Sequence, residues 1–418
     1  MDMGKGRKTH RLSLGYEWET ILLNKYGIPP KSEEMAPLVS KVRRAIPHCR
    51  VGFDWIPGLG RSLLEIRSGI VHNREKLEER TRKLLELTLK FSKKENFRFL
   101  PIGSYPPMGS AVGFHIHTGS WESTEGLFEL ANNLIPYAPC FAALSVNSPL
   151  WGTSPLNPPL SVKSYRIKHH AQLMSPPSYS DPAFSFLSWE PDVTVKFLSH
   201  PTIEIRICDA PLSYIFANEL TAFVSSFIAE FKKHPTQFNK KNYIEGIDNR
   251  QRAMRDGLQA LFLWKGKERE VTDILKEMLK IAEPTLKKIG YNALPLIKKM
   301  LFLKQTQADL LSFLFKHYKG DVIDFTNYLS SGLNWLDDPF KTYLDFAPEL
   351  RTKELMDIDK YLLSMIGKRS KYGSLYDVLH QPTKEFEKRI WKLKENNLID
   401  ITFDEEKGLL FSNRSKNK

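Results

Sequence analysis

Glutamate and arginine stand two residues apart in Thr202–Asp209, which reads Thr-Ile-Glu-Ile-Arg-Ile-Cys-Asp, and again in Arg61–Ile70 as Glu65 and Arg67. Glu17 and Glu19 repeat the spacing near the start of the chain, and His115 and His117 repeat it in Phe-His-Ile-His-Thr-Gly. The spacing has chemical meaning on a strand, where successive side chains point to opposite faces and residues i and i+2 share one, roughly 7 Å apart. Each stretch then sets charged groups or imidazoles on one face and apolar residues on the other. Ile203, Ile205 and Ile207 back Glu204 and Arg206, Leu64 and Ile66 back Glu65, Phe114 and Ile116 back the histidines, and Leu14, Tyr16 and Trp18 back the two glutamates. Two carboxylates on one face repel each other at neutral pH unless a cation or basic side chain sits between them. Imidazole can ligate a metal or donate to a phosphate oxygen. Taken singly, each pair is equally well a solvated feature of a half-exposed strand.

The elements that must position these residues follow from periodicity. A helix ends near Lys41–Arg44, and Asn73–Asn96 is a charged amphipathic helix with Asn73 as its cap and Leu77, Leu84, Leu87 and Phe91 on the buried side. A Pro- and Gly-rich loop, Pro101–Gly113, leads into the histidine strand, and helices are expected at Glu125–Leu134 and from Ala138 toward Gly152. The Asn147-Ser148-Pro149 break stops the latter helix and leaves polar side chains where a ligand can approach. Thr153–Pro182 carries Tyr165, Arg166, Lys168, His169 and His170 among prolines and serines, and reads either as a lid or anion-binding loop or as a surface insertion. Apolar periodicity predicts helices at Leu212–Lys232 and Asn249–Trp264. In the second, Arg250, Arg252 and Arg255 fall at the N-terminal end, against the helix dipole, which suggests that they face an acidic partner or ligand; an exposed basic turn is the alternative. Helical patterns continue from Glu268 to Leu329.

At 418 residues, with 41% hydrophobic and 26% charged content, the chain has the composition of a folded protein of more than one domain. Its apolar runs fall far short of the ~20 residues that cross a bilayer, and the opening Met-Asp-Met-Gly-Lys-Gly-Arg-Lys lacks a signal peptide's apolar core, so a cytoplasmic protein without membrane partners is expected. Cys49, Cys140 and Cys208 form no CxxC pair, which argues against a zinc knuckle or a disulfide scaffold. The formal charge of +13 suits nucleic acid, anionic membrane or an anionic substrate and does not choose among them.

In order along the chain, Gly-Tyr-Glu-Trp-Glu, Leu-Leu-Glu-Ile-Arg, Gly-Phe-His-Ile-His-Thr-Gly, Ala-Ala-Leu-Ser-Val-Asn-Ser-Pro-Leu-Trp-Gly, Thr-Ile-Glu-Ile-Arg-Ile-Cys-Asp and Asn-Arg-Gln-Arg-Ala-Met-Arg-Asp-Gly-Leu resemble the landmarks of the carboxylate-amine ligase family. That family includes the type 2 glutamate-cysteine ligases and is similar in its catalytic fold to glutamine synthetase and the guanidino kinases. The resemblance spans about Leu12 to Leu263. It implies an α+β protein whose curved antiparallel β-sheet forms a funnel with packed helices, taking ATP at one end and an amino-acid carboxylate at the other. It implies Mg2+ or Mn2+ held by Glu17, Glu19, Glu65, His115 and Glu204, nucleotide phosphate met by His117, and Arg206 stabilising the transferring phosphoryl group or acyl-phosphate. Asn147 and Arg166 would contact substrate, and Arg250 and Arg252 would contact phosphate or a carboxylate. The family's Trp-Asp-x-Arg approach to the last strand is matched loosely by Trp189, Glu190 and Lys196.

By that resemblance residues 1–290 form the catalytic domain and 291–350 a helical extension. Residues 351–418, with helices expected at Lys360–Met365, Ser374–His380 and Thr383–Asn396 followed by a strand, charged turn and strand, resemble a winged-helix module. There Gln381, Lys384, Lys388, Arg389 and Lys392 would lie on or near the recognition helix, for nucleic acid or for packing. The activity implied is an ATP-dependent ligation of an amino acid, glutamate, to cysteine or another amine through an acyl-phosphate. Two alternatives stand beside it: an inactive ligase fold acting as a nucleic-acid-binding regulator, and a phosphotransferase of guanidino-kinase type. Oligomeric state is left open, a homo-oligomer included.

Overall fold

In the computed structural model the described residues are 11–46, 49–56, 61–105, 110–119, 126–151, 160–169, 191–196, 201–236, 240–317, 322–331, 370–371, 393–394, 399–404 and 408–413. They divide into two compact units, one of residues 1–294 with 304–337 and one of residues 295–303 with 338–418.

The first unit is built on strand β1, Ser13–Leu23, whose alternation is the one read from sequence. It lies between β3, Arg61–Arg67, and β7, Phe114–Gly119, and antiparallel to both. β2, Arg50–Ile56, extends the sheet beyond β3, while β9, Thr202–Ile205, and β8, Val193–Lys196, extend it beyond β7. The order is therefore β2-β3-β1-β7-β9-β8, with the short β4, Arg98–Leu100, pairing the end of β1. Inside the expected loop of residues 101–113, β5, Ser104–Tyr105, and β6, Ser110–Ala111, form a small ladder of their own.

One face of the sheet is apolar because the residues behind the charged pairs all point to it. Tyr16, Trp18, Leu64, Ile66, Phe114, Ile116, Ile203 and Ile205 are buried there, and the rings of Tyr16, Trp18 and Phe114 lie 5.0–6.4 Å apart. The helices Arg74–Lys94 and Tyr214–Phe231 cover this face. They are pinned by Tyr16 Oη donating to Thr81 Oγ1 (2.9 Å), Thr81 donating to Asn218 Oδ1 (2.7 Å) and Thr118 donating to Ser225 (2.9 Å). Asn73 caps the first helix, accepting the Lys76 N–H, as expected from sequence, and Ser213 caps the second.

The helix expected at Asn249–Trp264 is instead Lys240–Asp256, followed by a hairpin of β10, Leu261–Trp264, and β11, Lys267–Glu270. Its two-residue turn places Lys265 and Gly266 at φ of 53° and 80°, a primed turn that suits the strand twist. Arg250 thus lies past the middle of a helix rather than at its start, and the dipole argument for its function falls.

The second unit contains the helix Pro295–Leu303 and a three-stranded sheet in which β14, Gly408–Asn413, pairs with both β13, Ile399–Asp404, and β12, Ser370–Lys371. The two strands expected at the end of the chain are present; the turn between them, the first two tail helices, all of the third but the helical residues 393–394, and the residues proposed for recognition fall outside the described residues. No helix among the described residues is long and apolar enough to cross a membrane.

If the covered face carries the stability, Trp18→Ala, removing a side chain only 1% exposed, should cost about 3–5 kcal/mol in urea unfolding. Phe53→Ala, on the 38% exposed flank of β2, should cost less than about 1 kcal/mol.

Candidate active site

The register of the sheet turns the spacings in sequence into rows across its polar face. Glu17 stands opposite His115 on one side and Arg67 on the other. Glu19 stands opposite Glu65, and His117 opposite Glu204. Cross-strand partners share a face, so side chains from four strands meet without any of them leaving its strand geometry.

Glu17, His115 and Glu204 each offer a ligand atom within 4.8 Å of the other two. His115 Nδ1 lies 3.8 Å from Glu17 and 3.6 Å from Glu204, and His117 Nε2 lies 3.8 Å and 3.7 Å from the same two carboxylates. These separations are too long for hydrogen bonds. They fall in the range of ligand-to-ligand distances around one cation, roughly 3 Å for adjacent and about 4 Å for opposite ligands at bonds of ~2.1 Å. The buried Nε2 of His117 has no hydrogen-bond partner, which is costly unless something else meets it. A site of two carboxylates flanked by two imidazoles, its donor atoms facing one another across non-bonded gaps, fits a divalent cation.

Basic groups surround the acids. Arg206 donates to Glu204 Oε1 at 2.5 Å, and Lys196 Nζ is 3.3 Å from Glu204 Oε2. Arg67 grips Glu65 with two bonds, 2.7 and 2.8 Å, and reaches Glu17 at 3.1 Å. Burial alone would raise Glu204, but Arg206, His117, His115 and Lys196 hold its carboxyl below the usual carboxylate range. Glu17 is likewise held well down against burial, by His115, His117 and Arg67. For Glu19 the opposing groups are His115, Arg166, the Gly113 N–H and Arg206, and it too is lowered. Glu65 moves the other way: burial, with Glu17 and Glu19 nearby, outweighs Arg67 and pushes it up to about 7. Burial would lower His117, yet Glu17 and Glu204 raise it.

Of the five metal ligands expected from sequence, then, three form the mutual group. Glu19 approaches His115 Nε2 at 3.6 Å while its other oxygen accepts the Gly113 N–H at 2.5 Å, and the Glu65 carboxylate is engaged by Arg67. The expected ligand contacts Asn147, Arg166, Arg250 and Arg252 have their donors committed to the protein. Asn147 Nδ2 donates to Ala210 O at 2.8 Å and its N–H to Asp209 at 2.8 Å. Arg166, 5% exposed, donates to the carbonyls of Ile207 (3.0 Å) and Arg206 (2.9 Å). Arg250 pairs with buried Asp192 at 2.8 Å. Arg252 bonds Asp248 on its own helix and Leu261 O and Glu268 on the β10–β11 hairpin, so it fastens two elements together. Trp189 and Glu190 lie outside the described residues.

Three residues that sequence reasoning passed over matter here. Asp209, at the end of the quoted strand motif, and Asp192, just before β8, are buried partners of Arg166 and Arg250. Gly113 fills the narrow space between Arg166 and His115. A Cβ there would stand 2.4 Å from Arg166 Nη2 and 2.9 Å from His115 Nε2. The one sequence signal for it was a glycine immediately before the histidine strand.

No family model matches the chain. Among curated proteins it is similar to one named "Putative glutamate--cysteine ligase 2" from Solibacter usitatus (strain Ellin6076), 22% identical over 286 residues that cover 56% of this chain and 72% of that protein. A protein of the same name from Polaromonas naphthalenivorans (strain CJ2) is 24% identical over 321 residues, 63% of this chain and 78% of that protein. The chain is thus similar to proteins named as putative type 2 glutamate–cysteine ligases. This bears out the resemblance read from the ordered motifs, and the aligned portion leaves more than a third of the chain unmatched in either case. Among solved structures, the crystal structure of a bifunctional glutathione synthetase from Pasteurella multocida superposes with a TM-score of 0.53 at 15% identity, covering 77% of this chain and 52% of that one. That is a likeness of fold, and the chain spans about half the length of that structure.

The geometry sets a binding test. Glu17→Gln and His115→Ala should each weaken Mn2+ binding, read by electron paramagnetic resonance, by roughly tenfold or more, while Arg252→Ala leaves it unchanged. Gly113→Ala should weaken it too, because Arg166 or His115 must shift, and should lower unfolding stability by about 1–3 kcal/mol.

Proposed function

We propose that this protein is an ATP-dependent carboxylate–amine ligase that forms an amide of γ-glutamyl type, joining glutamate to cysteine or another amine, and that its sheet is the curved funnel of glutamine synthetase-like enzymes. The observation that carries the reading is the meeting of Glu17, His115 and Glu204 with Arg206 on one sheet face. The similarity to the type 2 ligases supports it and narrows the reaction class.

The chemistry needs two anions, a nucleotide's terminal phosphate and a carboxylate, to come together, and the product of the first step to keep its phosphate until an amine attacks. Glu17, Glu204 and His115 would hold Mg2+ or Mn2+, which when bound neutralises phosphate charge. Within the chain, the low proton affinity of Glu17 and Glu204 keeps both carboxylates ionised and open to a cation at neutral pH. Arg206 presents a planar, permanently charged donor beside them, suited to equatorial phosphoryl oxygens or an acyl-phosphate. His117, beside Glu17 and Glu204, would offer a ring N–H to a phosphate oxygen. Attack by the amine on the acyl-phosphate then gives amide and phosphate.

The test is amine-dependent ADP release from ATP with glutamate and cysteine, then with other acids and amines, with mass spectrometry of the product. An amide and ADP in equal amounts are expected; a stable phosphorylated product points to a phosphotransferase, and no turnover sinks the reading. Glu204→Gln and Glu17→Gln should each lower turnover by at least about 100-fold with the circular dichroism spectrum unchanged.

A further inference from the structure

β9 ends at Ile205, and Arg206, whose guanidinium meets Glu204 at 2.5 Å, sits on the first residue beyond it. A side chain at the end of a strand is placed only as well as the backbone beneath it, and here that backbone is held from both sides. The Arg206 N–H donates to Asp192 O at 2.8 Å. Its carbonyl accepts from Arg166 Nη2 at 2.9 Å, and the next carbonyl, of Ile207, accepts from Arg166 Nη1 at 3.0 Å.

Each holder belongs to a buried pairing of aspartate with arginine. Asp192, 2% exposed, is bound by Arg250 through Nε at 2.8 Å, and Arg250 also donates to Ile167 O at 3.2 Å, next to Arg166. Asp209, fully buried, lies 3.8 Å from Arg166 Nη1 and accepts from Asn147 N–H (2.8 Å), Ser148 (2.5 Å) and Ser164 (3.0 Å). Buried ion pairs are poor sources of stability compared with apolar packing, so two of them converging on one residue point to placement. A guanidinium donates in one plane, and a displacement of about 1 Å at a group that meets a transition state can cost 100-fold in rate.

We propose that Asp192–Arg250 and Asp209–Arg166 form a brace that positions Arg206, and that these four are positioning residues. The consequence for turnover rests on the ligase reading; the brace itself concerns the Arg206 backbone and can be measured without catalysis.

Amide exchange at Arg206 in the full chain should accelerate at least about tenfold in Asp192→Asn, while Leu14 on β1, two strands away from β9, whose N–H donates to Val71 O at 2.8 Å, is unchanged. Equal exchange at Arg206 in the two proteins overturns the brace. In turnover, Asp192→Asn should lower kcat roughly 10–100-fold with KM for ATP within about threefold, yet change kcat by less than about twofold when Arg206→Lys is already present. The same loss in both backgrounds means that Asp192 does not act through Arg206 and also overturns the proposal. Arg250→Lys serves both measurements if Asp192→Asn fails to fold. Wild-type protein that releases no ADP on addition of any acid and amine overturns the ligase reading instead, and the exchange result still decides the brace.

Discussion

Carboxylates that repel one another are held together on one face of the sheet, and most of the structure around them answers that repulsion. Two unit charges at 4.8 Å, the outer limit for Glu17 and Glu204, repel by about 3 kcal/mol at an effective dielectric of ~20. The sheet supplies the restraint. Its other face buries tyrosine, tryptophan, phenylalanine and isoleucine under two helices, and a one-residue slip in any strand would bring those side chains to the acids. The apolar face therefore fixes the register that forces the acids together.

Cations divide that cluster into parts with different duties. Arg67 takes both oxygens of Glu65, whereas Arg206 and Lys196 each approach a different oxygen of Glu204. Glu17 and Glu204 both face the two imidazoles across gaps too wide for hydrogen bonds. Proton affinity follows the same division, low at Glu17 and Glu204 and high at Glu65. One sheet face thus carries acids held ionised beside Glu65, an acid pushed up to about 7.

Much of this arrangement was legible in the sequence because a strand's period of two is a strong local signal. The pairs at 17 and 19, 65 and 67, 115 and 117, and 204 and 206 each declared a face, and the chain order of the motifs carried the resemblance that the curated relatives bear out. What was not legible depended on partners far away in sequence. The donors of Asn147, Arg166, Arg250 and Arg252, expected as ligand contacts, meet partners within the protein, among them carbonyls and aspartates distant in sequence. The helix Lys240–Asp256 begins in a charged stretch with little apolar period, and Asn249 inside it mimics a cap; the following hairpin is too short to show alternation. β2 alternates Val51, Phe53 and Trp55 but carries no charged pair to draw notice, and its role as the outer strand is evident only from its pairing with β3.

The strand order carries a consequence for how the molecule is made. β1, emerging first, waits between neighbours that arrive much later, and its partner rows are completed only when β9 pairs with β7. Loops must close before any of those pairings returns energy, which favours slow assembly. If the proposed ligase site takes its divalent ion, that ion would bridge Glu17, His115 and Glu204 only once β1, β7 and β9 have paired, so its binding would favour the completed sheet over partly assembled forms.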